Sequence, residues 1–204
     1  FYHLFIMLYL IYMSKYALFS VYDKRTIGPL ASAVVDAGYV IAATPGTGNE
    51  LQLAGIPFVP ISEITKNPDA LKDCLQSFSF YTAGGIVYSR SNERHLRDTE
   101  VEQIPSIDIV VCNLTNVEDT VKTEFDFTIQ HVDLGGVSLL QAAAINYRDV
   151  LVISSPNDYD AAINHIKAGT LDRDFRKELA VKTFSRIATY EQTLASVLLR
   201  SNGL

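Results

Sequence analysis

The sequence predicts an α/β fold, a doubly wound parallel sheet with a helical C-terminal extension, on three observations. Short β-rich apolar runs alternate with helical patterns between Tyr16 and Gly55, two later runs are apolar in the manner of fully covered strands, and the end of the chain reads as helix.

Residues 16–22 (YALFSVY) form the first strand, ended by polar residues from Asp23. Residues 27–37 carry a helical pattern, and Gly38 ends it, because glycine takes the left-handed conformation at a helix C-terminus without steric cost. Strand character resumes at 39–42, residues 44–48 (TPGTG) read as a loop, and 49–54 read as a short helix closed by Gly55. Strand, helix, strand, loop, helix implies parallel pairing, since each return crosses a face of the sheet. Residues 56–60 suggest a further short strand, and Asn67-Pro68 starts a helix. Residues 107–112 (IDIVVC) and 150–154 (VLVIS) have the pattern of strands covered on both faces. Residues 157–168 and 172–199 are helical, the second long enough to leave the domain and pack on a partner. No internal repeat, low-complexity tract or linker-like boundary appears, so residues 14–204 are read as one domain.

With 204 residues and 48% hydrophobic content the chain can bury a real core. Seventeen basic against 23 acidic side chains give a net charge of −6 with no Lys/Arg cluster, which excludes a nucleic-acid footprint. An anionic ligand must therefore be held by local donors. Cys74 and Cys112 fit reduced core thiols of a cytoplasmic protein, being widely spaced and outside any C-x-x-C pattern. Residues 1–13 are apolar and uncharged but too short to span a bilayer, which takes roughly 20 apolar residues. They lack the basic flank and cleavage site of a secretory signal. Met13-Ser14-Lys15 reads like a natural start, so the segment is expected to lie outside the fold; a membrane-surface anchor is the alternative. Without a secretory signal, the acceptor pattern Asn113-Leu114-Thr115 is expected to be accidental.

The most informative stretch is residues 132–144 (VDLGGVSLLQAAA), where Asp133 and a glycine pair precede an Ala-rich helix. Two glycines let a backbone turn tightly and admit a ligand, while the first helical turn leaves unpaired N–H groups. A plain N-terminus capped by Asp133 explains the same residues, and spacing leaves both readings open. In doubly wound sheets ligands sit outside the carboxyl ends of the strands. That rule points to residues 20–24, 44–48 and 113–116 and to the Asp133-Gly136 turn as four converging loops. Thr44 and Thr47 offer hydroxyls and Gly46 a backbone N–H of the kind that holds phosphate, although Pro45 removes one donor. Lys24 is the candidate cation. The four histidines share no metal-ligand spacing, and no G-x-S-x-G or H-E-x-x-H pattern occurs, so zinc and serine-hydrolase chemistries are disfavoured. Tyr190 reads as a packing residue.

Several blocks together resemble the IMP cyclohydrolase domain, methylglyoxal-synthase-like in fold, of the bifunctional purine enzyme that also carries AICAR transformylase activity. They are ALFSVYDK at 17–24, AGIP at 54–57, VVCNL at 110–114 and above all DLGGVSLLQAAA at 133–144. The resemblance implies closure of the second purine ring: formyl-AICAR cyclises to IMP with loss of water. It implies no cofactor and no metal, a purine nucleotide or analogue as ligand, and a homodimer. It places phosphate on Ser20, Lys24, Thr44, Gly46 and Thr47, and the base on Asn113, Asp133, Leu134, Gly135 and Gly136.

Three family positions differ. The lysine of the family's R-V-K-T-L-H-P motif falls on Gln76, the tyrosine of N-L-Y-P-F on Thr115, and the lysine of A-A-A-K-N-H on Ile145, with Tyr147 at the histidine. Asp133 persists, so the catalytic positions are Asp133, Gln76 and Thr115, with Lys72 a substitute cation four residues before Gln76. A charged donor worth roughly 3 kcal/mol at the transition state corresponds to about 100-fold in rate, so weak turnover is expected. The alternative is a non-catalytic nucleotide-binding or dimerisation module. No counterpart of the transformylase half is read in these residues.

Overall fold

The computed structural model describes residues 14–67, 75–115 and 132–201. The apolar segment 1–13, the helix expected from Pro68, and Lys72 and Cys74 lie outside the described residues.

Five parallel strands form one sheet in the order β3-β2-β1-β4-β5. They are β1 (Lys15–Val21), β2 (Val40–Ala43), β3 (Val59–Pro60), β4 (Ser106–Asn113) and β5 (Leu151–Ile153). β1 sits centrally, pairing Tyr16 with Val40 on one side and Val21 with Asn113 on the other. All five expected strands are present, within a few residues of their expected bounds.

Alternation along the central strands sends residues to both faces. Ala17, Phe19 and Val21 of β1 face α1 (Ile27–Asp36), which buries Leu30 and Val34 against them. Tyr16 and Leu18 face the opposite layer. There α4 (Phe80–Val87) brings Ile86 and α6 (Leu134–Ile145) brings Leu139, Leu140, Ala143 and Ala144. α7 (Tyr159–Ala168) joins the first layer through Tyr159 and Ala162. The long α8 (Arg173–Ser201) contributes Phe175 and Leu179 to the first layer and Ala180 and Ile187 to the second. Helices on both faces make the sheet doubly wound, as expected.

Residues 44–48 are not a free loop. They open α2 (Pro45–Leu53), with Thr44 at its N-cap and Pro45 in the first turn. Proline is suited to that position because its missing N–H would have no intrahelical partner there. Two further helices, α3 (Ser62–Thr65) and α5 (Glu93–Val101), and a short 3-10 helix at Pro156–Asp158 complete the described elements. Among the described residues no helix is long and apolar enough to cross a membrane.

Candidate functional site

β1 is the strand at which the winding reverses: β2 and β3 lie to one side of it, β4 and β5 to the other. Where such a sheet reverses, neighbouring crossovers depart on opposite faces and leave a crevice at the carboxyl ends of the strands. A cavity of about 810 Å³ opens there, lined by Tyr22, Asp23 and Lys24 after β1 and by Asn113, Leu114 and Thr115 after β4. Ser154, Ser155 and Pro156 after β5 extend it, and Ser185, Arg186, Thr189, Tyr190 and Thr193 of α8 form the facing wall.

Asn113 fixes the strand-end side. Its carboxamide oxygen accepts the N–H groups of Tyr22 at 2.8 Å and Asp23 at 2.7 Å, and its amide donates to the Asp23 carbonyl at 3.0 Å. The residue is 7% exposed, so this amide is unavailable as a glycan acceptor. Thr47 ties α2 to the same corner: its Oγ1 accepts the Val21 N–H at 3.0 Å and the Thr44 hydroxyl at 3.2 Å. Both threonines are buried, so their hydroxyls brace the fold where the sequence suggested phosphate donors. Gly46 is exposed, and a Cβ built on it would stand 3.9 Å from Lys24 Cε, which places the lysine over the first turn of α2. Lys24 donates to the Tyr22 carbonyl at 3.2 Å.

Asp133 is the N-cap of α6, its Oδ1 accepting the Gly136 N–H at 2.7 Å. Burial pushes its carboxyl above the ordinary range, and that hydrogen bond partly offsets the rise. The cap requires Gly136, and Gly135 admits Ser77 beside it. A Cβ on Gly136 would collide with the Asp133 carboxylate, and one on Gly135 would meet Ser77 Oγ at 2.6 Å. Ser77 thus seals the helix start, while its neighbour Gln76 is exposed and is not among the residues lining the cavity. Leu134 is 55% exposed. Cys112, buried and free, has its thiol pushed well up by burial and the nearby Asp133 charge.

The α8 wall escaped sequence reasoning. Asp158, buried at the start of α7, faces Lys182 and Arg186, each at 3.0 Å. Arg186 also donates to Ser154 Oγ at 2.7 Å, and Ser154 meets Thr183 at 2.8 Å. Tyr190 packs as expected, among Leu114, Val132, Val137, Leu194 and Val197. Its hydroxyl does more, accepting the Asp133 N–H at 3.0 Å and lying 3.4 Å from Thr115 Oγ1. A sequence signal existed in the spacing of Ser185, Arg186, Thr189, Tyr190 and Thr193, which share one helical stripe.

Of the residues expected at the site, Lys24, Asn113 and Thr115 line the cavity, and Asp133 joins them through Tyr190. Ser20 is half-buried near the end of β1, while Gly135 and Gly136 are buried in the α6 cap. Among the described residues no three His, Cys, Asp or Glu side chains gather in a metal-binding cluster.

Comparison with known proteins identifies the family. The MGS-like domain family matches residues 26–137, and the AICARFT/IMPCHase bienzyme family matches residues 143–203. The bifunctional purine biosynthesis protein PurH of Oceanobacillus iheyensis is 36% identical over 190 residues, 92% of this chain and 37% of that protein. PurH of Clostridioides difficile (strain 630) is 34% identical over 186 residues, 90% and 36% respectively. The chain thus spans little more than a third of the length of these relatives. A solved structure titled as the crystal structure of ForH superposes with a TM-score of 0.80 at 30% identity, covering 91% of this chain and 99% of that one. The chain belongs to the MGS-like domain family, as a counterpart of the IMP cyclohydrolase-like domain of PurH.

Proposed function

We propose that the cavity takes a purine ribotide and that the chain is an IMP cyclohydrolase-like domain of purine biosynthesis with slow ring closure. The observation that carries this reading is the convergence of Lys24, Asn113 and Thr115 on one cavity at the sheet's reversal point. Lys24, beside the first turn of α2, supplies positive charge for a phosphate, reinforced by the unpaired amides of that turn. The rigid Asn113 corner fixes the floor on which the ribotide lies.

In the reaction, the carboxamide nitrogen bonds to the formyl carbon, and the formyl oxygen takes a proton as that nitrogen gives one up. Loss of that oxygen as water, with a second proton from the nitrogen, leaves the closed ring. Both reacting groups belong to one molecule, so orientation supplies much of the acceleration. Asp133, inclined toward its protonated form by burial, is suited to pass a proton to the leaving oxygen. The positions that carry lysine in the family hold the exposed Gln76 and the 64% exposed Ile145, which bring no charge to the formyl oxygen. Absorbance of IMP formed from formyl-AICAR by the purified chain tests this. Turnover at least about 100-fold below that of a PurH protein is expected, and an equal rate would overturn the claim of weak catalysis.

The same replacements favour a second reading, a non-catalytic nucleotide-binding module that pairs with another copy. Val181 and Phe184 on the exposed side of α8 are 59% and 42% exposed and suit such a contact. Light scattering on the purified chain would support it with a dimer mass and oppose it with a monomer.

A further inference from the structure

Resting on the reading of the cavity as a purine-ribotide site, we propose that Tyr190 is a ligand-contacting residue. Its phenol, paired with Thr115, gives one O–H hydrogen bond to a carbonyl-type oxygen of the bound base or its open-ring precursor. Tyr190 is 8% exposed, with its ring held in an apolar cluster and its residue lining the cavity wall. The phenolic oxygen already accepts the Asp133 N–H at 3.0 Å and has one proton to give. Thr115 Oγ1 lies 3.4 Å from it, a long contact for two hydroxyls.

The two hydroxyls carry two protons, and only one proton can lie between the two oxygens. Whichever group donates, the pair retains one O–H beyond the bond between them. Both residues line the cavity, so that proton is free to go to an incoming oxygen. Lys24 is better suited to a phosphate, being a full charge beside the start of a helix. The Tyr190–Thr115 pair, being neutral, is suited to a neutral oxygen such as the formyl, carboxamide or ring carbonyl oxygen. Tyr190 thereby brings a phenol from α8 to the place where Thr115 stands.

The test is titration of the full chain with IMP and, in parallel, with ribose 5-phosphate, which lacks the base. Tyr190→Phe is expected to weaken IMP about tenfold and to leave ribose 5-phosphate within about twofold. Equal weakening of both ligands would show that the hydroxyl merely tethers Asp133, and unchanged IMP binding would show that it donates nothing to the base; either overturns the proposal. Absence of saturable IMP binding by the wild-type chain would remove the nucleotide reading itself, whereas IMP binding indifferent to Tyr190→Phe removes this inference alone.

Discussion

The two sides of the cavity use their polar groups differently. On the strand-end side, the Asn113 carboxamide and the Thr47 hydroxyl are committed to backbone groups of residues 21–23. On the α8 side, Arg186 and Tyr190 are anchored by Asp158, Ser154 and Asp133 yet still line the open space. The first side is scaffold and the second is adjustable, because a helix face can exchange side chains without rerouting a strand end. A site can therefore keep its frame while its chemistry shifts to another element.

The largest effect is expected where the frame is cut. Asn113→Leu removes the side-chain partner of the Asp23 N–H and carbonyl and leaves the Tyr22 N–H only its longer bond to the Asn113 backbone carbonyl at 3.3 Å, at a cost of about 3 kcal/mol. Urea unfolding should show this as a lower midpoint, and an unchanged midpoint would mean that the corner is not structural. Arg186→Met keeps Lys182 on Asp158 and should cost about 1–2 kcal/mol in the same measurement. A loss as large as that of Asn113→Leu would erase the contrast between the two sides.

Asp133→Asn retains an N-cap acceptor and removes a titration. Burial holds the folded carboxyl above its ordinary 3.8, so the folded state binds the proton more tightly than the unfolded chain. The stability this group contributes is present below pH 3.8 and is lost as pH rises through the folded value. Wild type should therefore lose stability relative to Asp133→Asn across that interval in pH-dependent urea unfolding, and parallel curves would refute the burial. The smallest stability effect belongs to Lys24→Gln, expected within about 0.5 kcal/mol of wild type. IMP affinity should nevertheless fall about tenfold in calorimetry, since a charge-assisted contact is removed.

Much of the frame was legible in the sequence because strands covered on both faces leave unmistakable apolar runs, as in β4 and β5. The Asp133 cap was legible too, and structure adds that its N–H is bonded to Tyr190 on the cavity wall. Other parts were hidden for local reasons. α4 contains Gly84-Gly85, which weakens a helical pattern; Gly85 is needed because a Cβ would collide with the Pro105 carbonyl, and the Ser79–Thr82 capping box compensates at the helix start. α5 (ERHLRDTEV) buries only Thr99 and so shows no broad apolar stripe; its Asn92 cap and the pairs Arg94–Asp98 and Arg97–Glu93 are local supports. The α8 wall read as ordinary polar helix surface, since only the fold brings residues 186 and 190 opposite residues 24 and 113.

The central claim is that a purine ribotide occupies the cavity between these two sides. Amide chemical-shift mapping of the isotope-labelled chain during IMP titration tests it most directly. Saturable shifts concentrated at Asp23, Lys24, Leu114, Thr115 and Thr189 are expected, and saturable shifts clustered away from these residues, or none, would contradict the account.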